Sequence, residues 1–201
     1  MRSAIDFYFD FSSPYGYFAA MRIDALAAKY GHDVEWHPVL LGAVFKSTGA
    51  IPLTQIPMKG AYSLYDFERS ARFHGIPYKQ PPAFPLPTKV AARAMLWVQS
   101  KHGADQAISF AQQIYQAMFV DGINIAEPLN ILDIARKGGV DTTGMAEGIN
   151  SEEIKNQLKA EVALAMARGV FGSPFGIVEG ESVWGFDRFY QSDARLKSGK
   201  I

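Results

Sequence analysis

The first residues of the chain alternate apolar and polar side chains with the period of a β-strand. In the segment "AIDFYFDF", residues 4–11, the apolar face consists of Ile5, Phe7, Phe9 and Phe11. Ser12 and Ser13 then offer N-cap side chains, and Pro14 suits the first turn of a helix. Apolar residues at helical spacing follow, and Gly31 is placed to end that helix. "DVEWHPVLL" predicts a second strand, so the chain opens as β-α-β, with Ser13 where the first strand passes into the helix.

The middle of the chain changes from strand alternation to helical periodicity, interrupted by two loops. Residues 41–60 and 75–88 are rich in Gly and Pro and hold little periodic pattern, which predicts loops. Asn150 and Glu153 form a capping-box-like start for the last helix of this region. The helices that apolar spacing predicts cover residues 60–74, 88–101, 104–120, 128–137 and 151–168.

The end of the chain returns to strand and turn signals. A short apolar strand is predicted at Phe175–Val178, followed by a turn at Gly180. A second strand ends at Trp184, and a helix begins at about Asp187. These elements add β-β-α to the β-α-β opening.

The order of the elements indicates the fold class. A β-α-β unit, a helical block and a β-β-α unit predict an α/β protein with a thioredoxin-like fold that carries an inserted all-helical domain. In this arrangement residues 1–40 and 170–201 form a discontinuous thioredoxin-like domain. Residues 41–169 form the helical insertion.

Charge and cysteine content exclude several classes of protein. Twenty Lys and Arg residues balance twenty Asp and Glu residues, which argues against a nucleic-acid binder that needs a cationic surface. The chain has no cysteine, which excludes a disulfide oxidoreductase, and its four histidines lack paired spacing, so no protein-bound metal is expected.

No apolar stretch reaches the ~20 residues that cross a bilayer. Because the N-terminus also lacks a signal-peptide pattern, we expect a cytoplasmic protein without membrane contact.

Residues 13–16, "SPYG", have the shape of a thiol-redox C-P-Y-C box that has lost both cysteines. At a strand-to-helix turn, the Ser13 hydroxyl and the first N–H groups of the helix face one point, where the helix dipole favours an anion. Such a hydroxyl donates to a thiolate, a phosphate or a carboxylate, but no neighbouring base makes it a nucleophile. The alternative is that Ser12 or Ser13 only caps the helix.

Two segments near the end of the chain also suit a bound ligand. Ser173 precedes Pro174 at the start of a strand, where this fold commonly has a cis peptide that faces the first helix. Ser173 can pair there with an extended peptide, although a plain loop-to-strand turn is an equal alternative. Asp187 begins the last helix and can bind an ammonium group, or simply cap that helix. Glutathione, an anionic and extended tripeptide thiol, fits all three places and supplies the missing sulfur.

The chain resembles the bacterial 2-hydroxychromene-2-carboxylate isomerases, which are similar to kappa-class glutathione transferases. The resemblance runs nearly end to end and rests on "FYFDFSSPYGYF", "FKSTGAIPLTQIPMKG", "AEPLNILDIARKGG", "IKNQLKAEVALAMARGVFGSPFGIVEG" and "WGFDRF". It implies a glutathione-dependent isomerase of aromatic hydrocarbon catabolism, which converts 2-hydroxychromene-2-carboxylate into trans-o-hydroxybenzylidenepyruvate. It also implies a homodimer.

The resemblance implies roles for individual residues. Ser13 is implied to be the catalytic serine that contacts the glutathione sulfur. The residues implied to bind glutathione are Ser13, Pro14, Tyr15, Lys59, Ser173, Pro174, Trp184, Gly185, Phe186 and Asp187. The residues implied to contact the substrate are Lys46, which faces its carboxylate, Thr54 and Phe84.

Three positions depart from the family pattern. Ala50 stands where the family commonly has Asn, so one hydrogen bond to glutathione is expected to be absent. Thr54-Gln55 stands where the naphthalene-pathway isomerases carry Asn-Arg, and Phe84 stands where they carry Tyr. Two alternatives therefore stay open: a kappa-class-like glutathione transferase or peroxidase, and a non-catalytic thioredoxin-fold binding protein. Consumption of thiol distinguishes the first from an isomerase, and tight binding without turnover indicates the second.

Overall fold

Four strands form one mixed sheet in the computed structural model, which describes residues 4–199. They are β1 (Ile5–Phe9), β2 (Val34–Pro38), β3 (Phe175–Val178) and β4 (Glu181–Trp184). Their order across the sheet is β2-β1-β3-β4, with β1 parallel to β2 and antiparallel to β3, and with β4 antiparallel to β3. Strands from the N-terminal and C-terminal parts of the chain therefore share one sheet, and the predicted α/β thioredoxin-like fold is confirmed.

The outer ends of the predicted thioredoxin-like domain, residues 1–3 and 200–201, lie outside the described residues. The division into that domain and a helical insertion over residues 41–169 stays a prediction. Main-core side chains come from the sheet and from the intervening helices alike, so one apolar cluster joins the two regions.

Most of the predicted helices are confirmed, with ends that differ by at most one residue. Two short 3-10 turns lie at Leu53–Gln55 and Phe186–Arg188. No helix between residues 4 and 199 combines the length and the apolar character that crossing a bilayer requires. The helices described are α1 (Pro14–Ala20), α2 (Ile23–Lys29), α3 (Leu41–Thr48), α4 (Lys59–His74), α5 (Lys89–His102), α6 (Ala104–Phe119), α7 (Pro128–Lys137), α8 (Met145–Gly148), α9 (Glu152–Ala167) and α10 (Phe189–Ser198).

The first helical region differs from the single helix that the sequence predicts. It consists of α1 and α2, separated at Met21 and Arg22, where Arg22 leaves the helical conformation with a φ of −131°. The Arg22 guanidinium donates to the main-chain carbonyl of His74, so a contact with α4 holds the break in place. Gly31 follows α2 with a φ of +71° and ends the helix as predicted.

Two other helix starts correct the sequence predictions. Residues 41–48 form α3 rather than a loop, because the buried Asp10 carboxylate accepts the Leu41 N–H at 2.6 Å. The N-cap of α9 is Ser151 rather than Asn150, since the Ser151 hydroxyl accepts the N–H three residues later at 3.3 Å. The first of these starts depends on a residue far away in sequence, which local composition does not indicate.

Both faces of β1 are buried, although its sequence marks one face as apolar and the other as polar. Phe7 and Phe9 pack into the main core together with side chains of α1 and α6. Tyr8, on the opposite face, is fully buried in a smaller cluster that includes Ala165 of α9. Helices therefore cover both sides of the strand that leads to Ser13.

Polar residues on the α9 side of the sheet form an ion-pair network. Arg168 donates to both carboxylate oxygens of Asp6, at 2.8 and 2.7 Å. The ring nitrogens of His37 lie 3.1 Å from Asp6 and 3.2 Å from Glu161. Burial lowers the pKa of His37, but the two carboxylates outweigh burial and raise this pKa above its ordinary value. Asp6, His37 and Glu35 bring ligand atoms within 4.8 Å of one another, but Arg168 already neutralises Asp6, which favours ion pairing over metal binding.

Candidate active site

Ser13 lies at the N-cap of α1, where β1 passes into the helix. Its extended backbone, with a φ of −92° and a ψ of 114°, is the conformation expected before a proline, and Pro14 opens the helix. The Ser13 hydroxyl accepts the Gly16 N–H at 3.0 Å, so this serine does cap the helix. The same hydroxyl donates to the main-chain carbonyl of Ser173 at 2.8 Å, and Ser13 is only 6% exposed.

The Ser173–Pro174 segment meets Ser13 directly. The peptide bond between Ser173 and Pro174 is cis, as predicted. The Ser173 hydroxyl accepts the main-chain N–H of Asp10 at 2.9 Å, and the Pro174 carbonyl accepts the N–H of Gly185 at 3.0 Å. These hydrogen bonds connect the end of β1, the start of β3 and the segment after β4.

Trp184, at the end of β4, packs on the chain that leads to Ser173. Its ring lies 5.0 Å from the ring of Phe171. A Cβ added to Gly172 would fall 2.3 Å from the Trp184 indole nitrogen, so only glycine allows this close approach. Phe186 extends the contact to α1, with its ring 5.6 Å from that of Phe18.

Asp187 is exposed and lies in the 3-10 turn that precedes α10. It makes no side-chain cap, so the helix-capping alternative is wrong, and α10 begins at Phe189 rather than at Asp187. The Asp187 carboxylate instead accepts from the Arg188 guanidinium at 3.2 Å through each oxygen. Its charge also contributes to the raised pKa of Tyr15, after burial, Asp66 and Tyr62.

Tyr15, the second residue of α1, connects this helix to α4. Its hydroxyl donates to Asp66 at 2.5 Å. Burial and the Asp66 carboxylate raise the pKa of Tyr15, so the phenol stays protonated and acts as a donor. The Tyr15 ring lies 5.0 Å from Phe67, which in turn lies 6.3 Å from Phe84. The predicted substrate residue Phe84 is thus joined to α1 by a row of aromatic rings.

The two predicted lysines lie at the surface. Lys59 is the first residue of α4, and Lys46 lies in α3; both side chains are exposed. Thr54 lies beside the start of α4. Its carbonyl oxygen would be 2.4 Å from a Cβ on Gly60, the residue after Lys59. Among the interactions described for residues 4–199, none joins Lys46 or Lys59 to Ser13, Ser173 or Asp187. The structure brings together the predicted glutathione-binding residues near Ser13, Ser173 and Gly185, and leaves the two lysines facing solvent.

Two buried residues at this site are absent from the sequence prediction. Asp10 is 2% exposed, and its carboxylate accepts four hydrogen bonds, two from Ser12 and one each from Leu41 and Thr88. Burial raises the pKa of Asp10, although these donors oppose the increase. The hydroxyl of Tyr115, from α6, donates to the Asp10 carbonyl at 2.9 Å. The sequence offers no local signal for Asp10, which falls on the polar face of the alternation in residues 4–11.

The chain is similar to enzymes of two related kinds. A 2-hydroxychromene-2-carboxylate isomerase of Sphingobium xenophagum is 27% identical over 190 residues, which cover 94% of this chain and 95% of that one. Glutathione S-transferase kappa 1 of Caenorhabditis elegans is 27% identical over 205 residues, which cover 92% of this chain and 87% of that one. A solved structure of a 2-hydroxychromene-2-carboxylate isomerase has a TM-score of 0.84 at 26% identity, over 97% of this chain and 95% of that one.

These similarities extend along almost the entire chain, so the resemblance that the sequence motifs indicate is confirmed at the level of the family. The family model described as a DSBA-like thioredoxin domain matches residues 4–197. That model covers the sheet, the intervening helices and the Ser13 site together. The chain belongs to the family of DSBA-like thioredoxin domains.

Proposed function

We propose that this protein is a glutathione-dependent isomerase that acts on 2-hydroxychromene-2-carboxylate or a closely similar aromatic carboxylate. The contact between Ser13 and Ser173 carries this proposal, because it puts a buried hydroxyl donor where this fold class performs thiol chemistry. The chain has no cysteine, so the sulfur has to come from a cofactor. The similarity to an isomerase and to a kappa-class glutathione transferase supports both the substrate and glutathione.

The residues around Ser13 suit glutathione in charge and in hydrogen-bonding capacity. Ser13 accepts the Gly16 N–H, which polarises its own O–H, and this O–H can turn from the Ser173 carbonyl to a thiolate. Asp187 offers a carboxylate to the ammonium group of the γ-glutamyl end, in place of Arg188. Lys59 offers a cation to a glutathione carboxylate.

Ser13, Lys46 and Phe84 each have a defined part in the proposed reaction. Bound at Ser13, glutathione would supply a thiolate for a reversible addition to the carbon–carbon double bond of the substrate. The C–O bond of the chromene ring breaks, the proton of the ring hydroxyl passes to the phenol oxygen, and the former hydroxyl carbon becomes the ketone. The bond made single by the addition rotates, and departure of the thiolate restores the double bond in the trans form, so no thiol is consumed. Ser13 and the start of α1 stabilise negative charge at that position and keep the thiol pKa low. Lys46 holds the carboxylate of the substrate, and Phe84 covers its aromatic ring.

A second candidate is a kappa-class-like glutathione transferase. The C. elegans kappa transferase and the Sphingobium isomerase are each 27% identical to this chain. Thr54 and Phe84 also depart from the isomerase pattern at positions expected to face the substrate. The same Ser13 site would then activate glutathione for transfer to an electrophile, and the thiol would be consumed.

Turnover with a thiol balance tests the proposal. The purified protein is mixed with glutathione and 2-hydroxychromene-2-carboxylate, and the absorbance of trans-o-hydroxybenzylidenepyruvate is followed while free thiol is titrated. We expect product formation that requires glutathione and leaves its concentration unchanged. Loss of one thiol per product, with this substrate or an aryl halide, indicates the transferase. Binding without any turnover indicates a non-catalytic binding protein.

The proposed homodimer follows from the family resemblance, and the cytoplasmic location is the expectation stated from the sequence. Light scattering on the purified protein tests the dimer, for which we expect twice the 22.2 kDa chain mass. Cell fractionation tests the location.

A further inference from the structure

Asp10 is a buried acid that no described cation neutralises. It follows β1 directly, three positions before Ser13, and is 2% exposed. Among the ion pairs within residues 4–199, none includes Asp10. Burying a carboxylate without a cation is strongly unfavourable unless hydrogen bonds replace the lost water. The groups that donate hydrogen bonds to the Asp10 carboxylate therefore show which parts of the fold this acid holds.

The four donors to the Asp10 carboxylate come from three separate segments of the chain. One oxygen accepts the Ser12 N–H at 2.8 Å, the Ser12 hydroxyl at 2.9 Å and the Thr88 hydroxyl at 2.9 Å. The other oxygen accepts the Leu41 N–H at 2.6 Å. Ser12 belongs to the turn before α1, Leu41 begins α3, and Thr88 immediately precedes α5.

Each of these segments carries a residue of the proposed reaction. The turn before α1 carries Ser13, α3 carries Lys46, and the segment that ends at Thr88 carries Phe84. Ser13, Lys46 and Phe84 are thus each a few residues from a group that donates a hydrogen bond to the Asp10 carboxylate. A shift of this carboxylate would move all three relative to one another.

The main chain of Asp10 adds three further connections. Its N–H donates to the Ser173 hydroxyl at 2.9 Å, and its carbonyl accepts the Tyr115 hydroxyl at 2.9 Å. The carbonyl also accepts the Ser13 N–H at 2.9 Å. Asp10 therefore lies at the centre of the hydrogen bonds that join α1, the start of β3 and α6.

We propose that Asp10 is a positioning residue that holds Ser13, Lys46 and Phe84 at the separation needed for catalysis. This proposal rests on the proposed function for the roles of those three residues. Asp10 acts through Ser12, Leu41 and Thr88 and does not touch the substrate. Its two carboxylate oxygens are required because four donors converge on them.

Asp10→Asn tests the need for two acceptor oxygens. The amide keeps the shape of the side chain, but in either orientation it leaves the N–H of Ser12 or that of Leu41 facing another donor. We expect amide hydrogen exchange of one of these two groups to speed up about tenfold or more. We also expect kcat/KM for 2-hydroxychromene-2-carboxylate to fall about 10- to 100-fold.

Thr88 provides a matched pair of variants that change a single contact. Thr88→Val removes the hydroxyl and keeps the shape, whereas Thr88→Ser keeps the hydroxyl. We expect Thr88→Val to raise KM for the substrate about three- to tenfold, because only the segment with Phe84 is released. Glutathione affinity is expected to stay unchanged in Thr88→Val, and Thr88→Ser is expected to match the wild type in every measurement.

The outcomes separate positioning from mere stabilisation. The proposal is overturned if folded Asp10→Asn keeps wild-type kcat, KM and amide exchange, or if it lowers only the urea midpoint. If Asp10→Asn does not fold, the contrast between Thr88→Val and Thr88→Ser decides, and equal KM values contradict the proposal. If the wild type neither binds glutathione nor converts the substrate, the proposed function fails. Amide exchange at Ser12 and Leu41 then decides alone whether Asp10 holds the segments.

Discussion

Gly16, the third residue of α1, occupies the position of the second cysteine in a C-P-Y-C box, and the space for a side chain there is already filled. A Cβ at Gly16 would lie 2.7 Å from the Ser173 hydroxyl oxygen and 2.9 Å from that of Tyr115. Both distances are shorter than a carbon and an oxygen tolerate without a shift. We predict that Gly16→Ala destabilises the protein and weakens the Ser13 site, although alanine is the better helix former.

The size of the effect follows from three contributions. Overpacking a buried site costs about 1–3 kcal/mol. Displacing the Ser173 and Tyr115 hydroxyls weakens their hydrogen bonds to Asp10, at about 0.5–1.5 kcal/mol each. The helical preference of alanine over glycine offsets about 0.5–1 kcal/mol of this loss. We therefore expect Gly16→Ala to lower the free energy of unfolding by about 1–5 kcal/mol.

Urea unfolding of Gly16→Ala and of Gly42→Ala measures this prediction against a matched control. Gly42 is also helical, and a Cβ there meets no atom within 4 Å. We expect the urea midpoint of Gly16→Ala to fall by about 1 M, while that of Gly42→Ala stays the same or rises slightly. Equal midpoint shifts in the two variants, or a more stable Gly16→Ala, would refute the packing argument.

Three further predictions concern α9, the sheet network and the glutathione head group. Ser151→Ala is expected to lower the free energy of unfolding by about 1 kcal/mol in urea titrations, because it removes the N-cap of α9. The raised pKa of His37 makes its ion pairs stabilising below the unfolded-state pKa of about 6.5, and this stabilisation is lost as pH rises through the higher folded-state value. His37→Gln is expected to flatten the pH dependence of the urea midpoint over that range. Asp187→Asn is expected to weaken glutathione binding about tenfold in calorimetry, whereas Asp133→Asn, at an exposed carboxylate of α7, leaves it unchanged.

Each of these predictions has a result that would contradict it. A wild-type urea midpoint in Ser151→Ala would mean that the cap is unimportant. A His37→Gln variant with the pH dependence of the wild type would place the titration elsewhere. Equal glutathione affinity in Asp187→Asn and the wild type would remove Asp187 from the site.

The sequence predicts the elements whose signals are local. The alternation around Phe7 and Phe9 gives β1, and the apolar run Phe175–Val178 gives β3 with the correct ends. It also places Ser13 and Ser173 at two chain positions that this sheet order brings together. These features follow from periodicity and from proline, which act over a few residues.

The remaining features depend on contacts between distant segments. α3 begins where it does because Asp10 accepts the Leu41 N–H, and no pattern within residues 41–60 contains that information. In the sequence, Asp10 resembles a surface acid, because it falls on the polar face of an alternating strand and such a face is ordinarily solvated. Its burial becomes apparent only once α3, α5 and α6 have closed around the end of β1.

The ultraviolet absorbance of bound glutathione thiolate across pH, measured together with calorimetry, tests the central claim most directly. The variants are the wild type, Ser13→Ala and the control Ser109→Ala, at an exposed serine of α6. We predict a thiol pKa depressed well below that of a free thiol in the wild type and in Ser109→Ala, and restored toward about 8.5 in Ser13→Ala. Absence of binding at millimolar glutathione, or the same depressed pKa in Ser13→Ala, would contradict the account.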